Sequence, residues 1–252
     1  MPVRIVDFAV VSLAASGFLL VGETLAATGP VQTQPSAVAS EVSKTLRDDL
    51  DLEGITVIMV GSEATLSGRV PTFWDKTQAI NLTLAFDAVE TVASELTVPG
   101  IEDDTEVAGN VGRAIRTYQF MTIWDYVGGG VEDGVVTLSG SVTPDRNKGD
   151  ELFERVAKIR GVQDVQMRIA RQSESRRDTD LRRQIARRAL RHPTLSHYAL
   201  VADTPPFRIV VDETVVTLVG SVRSGVESRI LNSIARQAFE SSEVVNRLQY
   251  PR

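Results

Sequence analysis

Three near-copies of one short stretch constrain this chain more than any other feature. Val135-Val136-Thr137-Leu138-Ser139-Gly140-Ser141-Val142 is preceded by Ala64-Thr65-Leu66-Ser67-Gly68-Arg69-Val70 and followed by Val215-Val216-Thr217-Leu218-Val219-Gly220-Ser221-Val222. Gly68 and Gly140 stand 72 residues apart, and Gly140 and Gly220 stand 80 apart. Such spacing suits a small supersecondary unit with its own core rather than a solenoid turn. Taken at period two, Val136, Leu138, Gly140 and Val142 share one face while Thr137, Ser139 and Ser141 share the other, the pattern of a half-buried strand. A glycine on the buried face predicts the close approach of a helix backbone. Gly68, Gly140 and Gly220 therefore read as structural; no phosphate-loop spacing surrounds them and no lysine follows.

The flanking residues give each copy the same order of helix, strand, strand, helix, strand. In the first, over residues 36–99, Val38, Val42, Leu46 and Leu50 recur every four residues behind a capping Ser36. Strands follow over Ile55–Val60 and Ala64–Val70. Pro71 then stands where a helix would open, the helix over Thr72–Asp87 carries Phe73, Ile80, Leu84 and Ala85, and Thr91–Val98 closes the unit. In the second, over 103–170, Val107, Val111, Ile115 and Tyr118 form the helical stripe. Ile123–Val131 is a strand interrupted by Gly128-Gly129-Gly130, which suggests a bulge or bend, and Asp133-Gly134 is a hairpin signal. Pro144 opens a helix with Leu152, Phe153, Val156 and Ala157 inward, Gly161 ends it as a left-handed cap, and Val162–Ile169 is the closing strand. In the third, over 176–250, an arginine-dense helix leads through a long connection from His192 to Phe207 into the hairpin Arg208–Asp212 and Thr214–Val222. Ser224 then caps a helix carrying Val226, Ile230 and Ile234, before a last strand at Val244–Leu248.

Before these units lies a segment of a different kind. Arg4 precedes an apolar run from Phe8 to Gly22, and Thr24, Ala26 and Ala27 offer a small-x-small cleavage site. Residues 1–27 thus read as an export signal peptide, with a retained anchor or a buried helix as alternatives. The run falls short of the roughly 20 apolar residues of a comfortable membrane span. Residues 28–35, with Gly29, Pro30 and Pro35, read as a linker.

Charge is the sharpest remaining signal. Between Arg176 and Arg191 stand seven arginines, and on a helical wheel Leu181, Ile185, Ala186 and Ala189 take one side while Arg183, Arg187, Arg188 and Arg191 take the other. Three readings of that face stay open: solvated or paired with acids such as Asp48, Asp49, Glu102 and Asp104; bound to lipid headgroups; or bound to another partner. The net charge of −6 argues against general nucleic-acid affinity. Phe120-Met121-Thr122-Ile123-Trp124-Asp125-Tyr126 is a second patch, either core or interfacial.

Nothing points to catalysis. With no cysteine, a thiol nucleophile, a disulfide framework and cysteine metal sites are all excluded. His192 and His197 share a loop without the spacing of a zinc site. Ser67, Ser139 and Ser141 lack a Gly-x-Ser-x-Gly elbow, and Glu102-Asp103-Asp104 suits a helix N-terminus. No enzyme, cofactor or metal is expected.

The strand Val136-Thr137-Leu138-Ser139-Gly140-Ser141-Val142 with Gly161-Val162-Gln163-Asp164-Val165 resembles the BON domain family, named for bacterial osmotic-shock and nodulation proteins. So does Val216-Thr217-Leu218-Val219-Gly220-Ser221-Val222 with Val244-Val245-Asn246-Arg247-Leu248. The first copy departs, with Ala64 for valine and no glycine in Phe86–Val92. The resemblance implies an α+β chain of three tandem αββαβ modules, each with two helices packed on a small three-stranded mixed sheet. It also implies export to the periplasm and association with anionic phospholipid, with a role in envelope integrity or osmotic-stress tolerance. The alternative is a structural or chaperone-like module that binds envelope proteins through exposed sheet edges. Arg183, Arg187, Arg188 and Arg191 are the candidate lipid-binding residues.

Overall fold

A computed structural model describes residues 36–100, 103–201 and 205–251. The expected export segment and linker lie outside the described residues. The first module runs α1 (Ala37–Leu50), β1 (Thr56–Val60), β2 (Glu63–Arg69), α2 (Phe73–Leu84) and β3 (Thr91–Thr97). The second runs α3 (Asp104–Arg116), β4 (Tyr126–Glu132), β5 (Val135–Val142), α4 (Lys148–Ala157) and β6 (Asp164–Arg171). The third runs α5 (Arg176–Arg191), the short α6 (Tyr198–Val201), β7 (Phe207–Asp212), β8 (Val215–Ser221), α7 (Gly225–Arg236) and β9 (Glu243–Gln249). The chain is α+β, and the repeated strand is the middle one of each sheet, antiparallel to its hairpin partner and parallel to the strand that follows the crossover helix. A parallel pair needs such a crossover, which is why each sheet is mixed.

The period-two expectation holds in all three copies. Ala64, Leu66 and Val70, then Val136, Leu138 and Val142, then Val216, Leu218 and Val222 are buried. Helices cover that face with residues at matching spacing: Ala39, Val42 and Leu46 in α1, and Leu181 and Ile185 in α5. The reason for the glycines is different from the one expected. A Cβ on Gly140 would lie 2.0 Å from the Tyr126 carbonyl oxygen, one on Gly220 2.4 Å from that of Pro206, and one on Gly68 2.7 Å from that of Gly54. The crowding backbone is the start of the neighbouring hairpin strand, not a helix. Each glycine also has φ between +100° and +141°, which L side chains rarely adopt.

Helix ends and stripes depart from the sequence reading in several places. Ser36 caps α1 by accepting from the Ala39 amide at 3.1 Å, and Ser224 caps α7 by accepting from the Glu227 amide at 3.3 Å. Pro71, however, precedes a capping box made by Thr72 and Asp75, because only a side-chain oxygen can take up the first-turn amides. Pro144 lies upstream of Asn147, the residue that starts α4. Gly161, with φ +88°, sits in the turn before β6, since α4 already ends at Ala157. Ala85 is exposed, and Ala79 and Thr83 are buried in its place. In α7 the buried stripe includes Leu231, Ile234 and Ala235, leaving Val226 51% exposed.

The glycine triplet forms no bulge. Gly128, Gly129 and Gly130 pair one-to-one with Ser139, Leu138 and Thr137. Gly129 takes the core-facing place that Val57 holds opposite Leu66 and Ile209 holds opposite Leu218. A slot of about 220 Å³ lies between α3 and β4, lined chiefly by apolar groups together with Arg116.

Two joints connect the modules. Phe73, expected within its own core, packs with Trp74 against Phe153 of α4, at ring-centroid distances of 6.2 and 6.1 Å. At the other joint Ile123 and Trp124, expected in a strand, occupy the loop before β4 and pack on the core of the third module. The Ile209 amide donates to the Ile123 carbonyl at 2.8 Å. Ser173 N–H donates to Asp212 Oδ1 at 2.7 Å, and Gln172 Nε2 donates to the Trp124 carbonyl at 2.8 Å.

The hairpin turns of modules two and three are clamped alike. Asp104 accepts from the amides of Asp133 and Gly134 at 2.8 and 2.9 Å, and Asp178 accepts from those of Glu213 and Thr214, both at 2.9 Å. Both turns hold two consecutive residues at positive φ, but Glu213 (φ 47°) and Thr214 (φ 67°) do so with side chains, and a β-branched residue resists that conformation most. Thr214→Gly is therefore expected to raise stability by about 0.5–1 kcal/mol, measured as a shift in the denaturant midpoint. The lost hydrogen bond from Thr214 Oγ1 to Ser242 Oγ is exposed and offsets little.

Candidate functional site

Helix α5 is amphipathic, and the fold uses its two sides differently. Leu181, Ile185, Ala186 and Ala189 are buried in the third core. Arg182 goes inward with them: it is 3% exposed, and its Nη2 donates to the Val211 carbonyl at 2.6 Å. Burial lowers the guanidinium's pKa, and the neighbouring Asp178 opposes that shift. This arginine anchors the helix to the end of β7 and contributes nothing to the outer face.

Arg183, Arg187, Arg188 and Arg191 are all exposed. Arg183 stands apart from the other three, with its Nη1 3.9 Å from Asp180 Oδ1 across one helical turn. Arg187, Arg188 and Arg191 line an open groove of about 540 Å³ together with His192 and Pro193 on one wall and Ile230, Ile234 and Gln237 of the α7 side on the other. Arg188 is held there by neutral acceptors, with Nη2 2.9 Å from Gln237 Oε1 and Nη1 3.3 Å from the Gln237 carbonyl. None of the three pairs with a carboxylate among the described residues. Three acids of these modules are engaged elsewhere. Asp104 clamps its hairpin, Asp103 caps α3, and Glu240 faces Arg177 at 3.4 Å.

The groove thus combines three unneutralised guanidinium groups with two isoleucines on the opposite wall. It can hold an anionic group with an aliphatic neighbour. Arg188 and Arg191 also lie in the last turn of α5, where cations favour the helix dipole, so they serve the helix as well as the groove. His192 ends the helix and accepts from the Thr194 amide through Nδ1 at 3.2 Å. His197 Nε2 is 3.8 Å from Glu227 Oε1. No group of three or more His, Asp or Glu that could hold a metal ion is found among the described residues.

One constellation gave no signal in the sequence. Lys148, at the start of α4, is fully buried; its Nζ lies 2.8 Å from Asp125 Oδ2, 2.6 Å from Thr143 Oγ1 and 3.1 Å from Asp145 Oδ1. Asp125 also accepts from the amides and hydroxyls of Thr122 and Thr143 at 2.7–2.9 Å. Every bond of this cluster is internal and its lysine is closed to solvent, so its role is to fix the loop that carries Ile123 and Trp124.

Comparison with known proteins locates the family signal in the first module: the BON domain model matches residues 35–100. Modules two and three repeat that module's element order and strand pairing. No curated protein matches the chain. Among solved structures, the C-terminal domain of CdsD, a structural protein of the type III secretion system of Chlamydia trachomatis, is 10% identical, covering 87% of this chain and 100% of that one, at a TM-score of 0.23. The PrgH periplasmic domain is 12% identical, covering 81% of this chain and 99% of that one, at a TM-score of 0.20. Likeness at that level says nothing further about this chain. No helix among the described residues is long and apolar enough to cross a membrane.

Proposed function

Given a chain whose first module is a BON domain, we propose that it is an exported, non-catalytic protein of the bacterial envelope that docks reversibly on anionic phospholipid through the α5–α7 groove. Its role in that setting is support of envelope integrity under osmotic stress. The observation that carries this reading is the set Arg187, Arg188 and Arg191, gathered over Ile230 and Ile234 with no carboxylate partner among the described residues. At an anionic leaflet each is worth about 1 kcal/mol, so three hold a domain reversibly.

The test is co-sedimentation of the full chain with phosphatidylglycerol or phosphatidylcholine vesicles. Binding should favour the anionic vesicles and weaken as salt rises, because screening shortens the reach of exposed charge. Reversing Arg187 and Arg188 to glutamate should reduce binding at least about 30-fold with the melting curve preserved. Equal binding to both lipids, insensitive to the reversal, would reject the groove.

A second reading rests on β1. That strand lies at the edge of its sheet with Ile58 48% and Val60 72% exposed, and exposed apolar edge strands are templates for pairing with another chain. On this reading the first module binds an envelope protein, and glutamate at Arg187 and Arg188 leaves that binding unchanged.

A further inference from the structure

Phe239 is 92% exposed, more than any other large apolar residue among those described. Its place in the fold makes this informative. Each module leaves its second helix through the same turn, closed by Val89 N–H to the Phe86 carbonyl, Val162 N–H to the Ile159 carbonyl, and Ser241 N–H to the Ala238 carbonyl. Phe86, Ile159 and Ala238 point inward, and the next residue is at the tip: Asp87, Arg160 and Phe239, all exposed. Two modules put a charged residue at the tip. The third puts a phenylalanine there, and it is also the module with the arginine groove.

The turn is tied to that groove. Gln237, two residues before Phe239, lines the groove and accepts both hydrogen bonds from Arg188. Glu240, the residue after, faces Arg177, so the acid next to Phe239 in sequence carries a counter-charge from α5. The result is a solvated aromatic ring whose turn is joined to α5 on both sides, by Gln237 to Arg188 and by Glu240 to Arg177. An aromatic side chain at that place gains by leaving water, and the arginines of the groove select a surface of negative charge.

We infer that Phe239 is a membrane anchor: its ring enters the acyl region of an anionic bilayer when Arg187 and Arg188 meet the headgroups. The inference rests on the lipid reading of the groove and adds to it a point of insertion and a fixed orientation, with the turn after α7 facing the bilayer. Charge brings the module to the surface and the ring holds it there, so Phe239 acts on departure more than on arrival.

The absence of native cysteine makes the test direct. Phe239→Cys and Asp87→Cys are each made in the full chain and labelled with an environment-sensitive nitrobenzoxadiazole fluorophore. On phosphatidylglycerol vesicles, emission from position 239 should shift to the blue and be quenched by spin labels on the acyl chain, while emission from position 87 should not change. Phe239→Ser should lower vesicle affinity about tenfold with an unchanged melting curve and an unchanged salt dependence. A silent label at 239, in protein whose vesicle binding still falls on reversal of Arg187 and Arg188, overturns the anchor and leaves the groove standing. Absence of any arginine-dependent vesicle binding overturns both.

Discussion

Asp125→Ala should destabilise the second module by about 3–5 kcal/mol, the cost of stranding a buried charge. Lys148 is fully buried, and Asp125 is its only fully buried carboxylate partner among the described residues. Asp145 remains at 3.1 Å, but its side chain is 63% exposed and screened, which keeps the loss within that range. The same substitution strips the amides and hydroxyls of Thr122 and Thr143 of their acceptor. The double variant Asp125→Ala with Lys148→Met should recover much of the loss, because two apolar groups in place of a buried pair cost far less than one unpaired charge. Amide hydrogen exchange in α4 and β5 is the appropriate measurement, since a chain with three cores need not unfold in one step. A single variant no less protected than the double would refute the account.

Gly140→Ala should cost a similar amount, about 2–5 kcal/mol, from adding a Cβ at φ +141° against a carbonyl oxygen 2.0 Å away. The three repeats supply an internal scale. The corresponding contacts lengthen to 2.4 Å at Gly220 and 2.7 Å at Gly68, so alanine at the three positions should destabilise in the order 140, 220, 68. Exchange protection of the adjoining strand gives the ranking. Had the glycines served a helix instead, the helix amides would lose protection first.

The middle strand of each module was fully legible, because period two and a repeated glycine are local signals that burial on one face must produce. Ser36 and Ser224 were legible as caps for the same local reason. What escaped depends on distant partners. Phe73 looked like a residue of its own core, and only the placement of α4 turns it toward Phe153. Asp125 and Lys148 are 23 residues apart with no shared periodicity, so nothing nearby in sequence announces their contact. Gly128-Gly129-Gly130 suggested a bulge because glycine in a strand usually marks one; the full pairing with β5 was not visible without the partner strand. For the arginine face, the wheel separated Leu181 and Ile185 from Arg187, Arg188 and Arg191. It could not show that Gln237 and Ile234 would form the opposite wall, nor that Arg183 would stand outside the groove beside Asp180.

A chain of three copies invites the view that any copy could be cut out, exchanged or duplicated afresh. The seam between the second and third contradicts it. Ile123 and Trp124 belong to one copy by sequence and to the next by packing, and the Ile209 amide has its acceptor across the boundary. A third module standing alone would lose the apolar cover that Ile123 and Trp124 lay on its core and the acceptor of the Ile209 amide. The first module meets its neighbour through aromatic side chains and through the Gln163 Nε2 bond to the Pro99 carbonyl at 3.2 Å, all made by side chains that point mutations can rework. The second and third copies are therefore held together by backbone as well as side chains, and cutting between them breaks both.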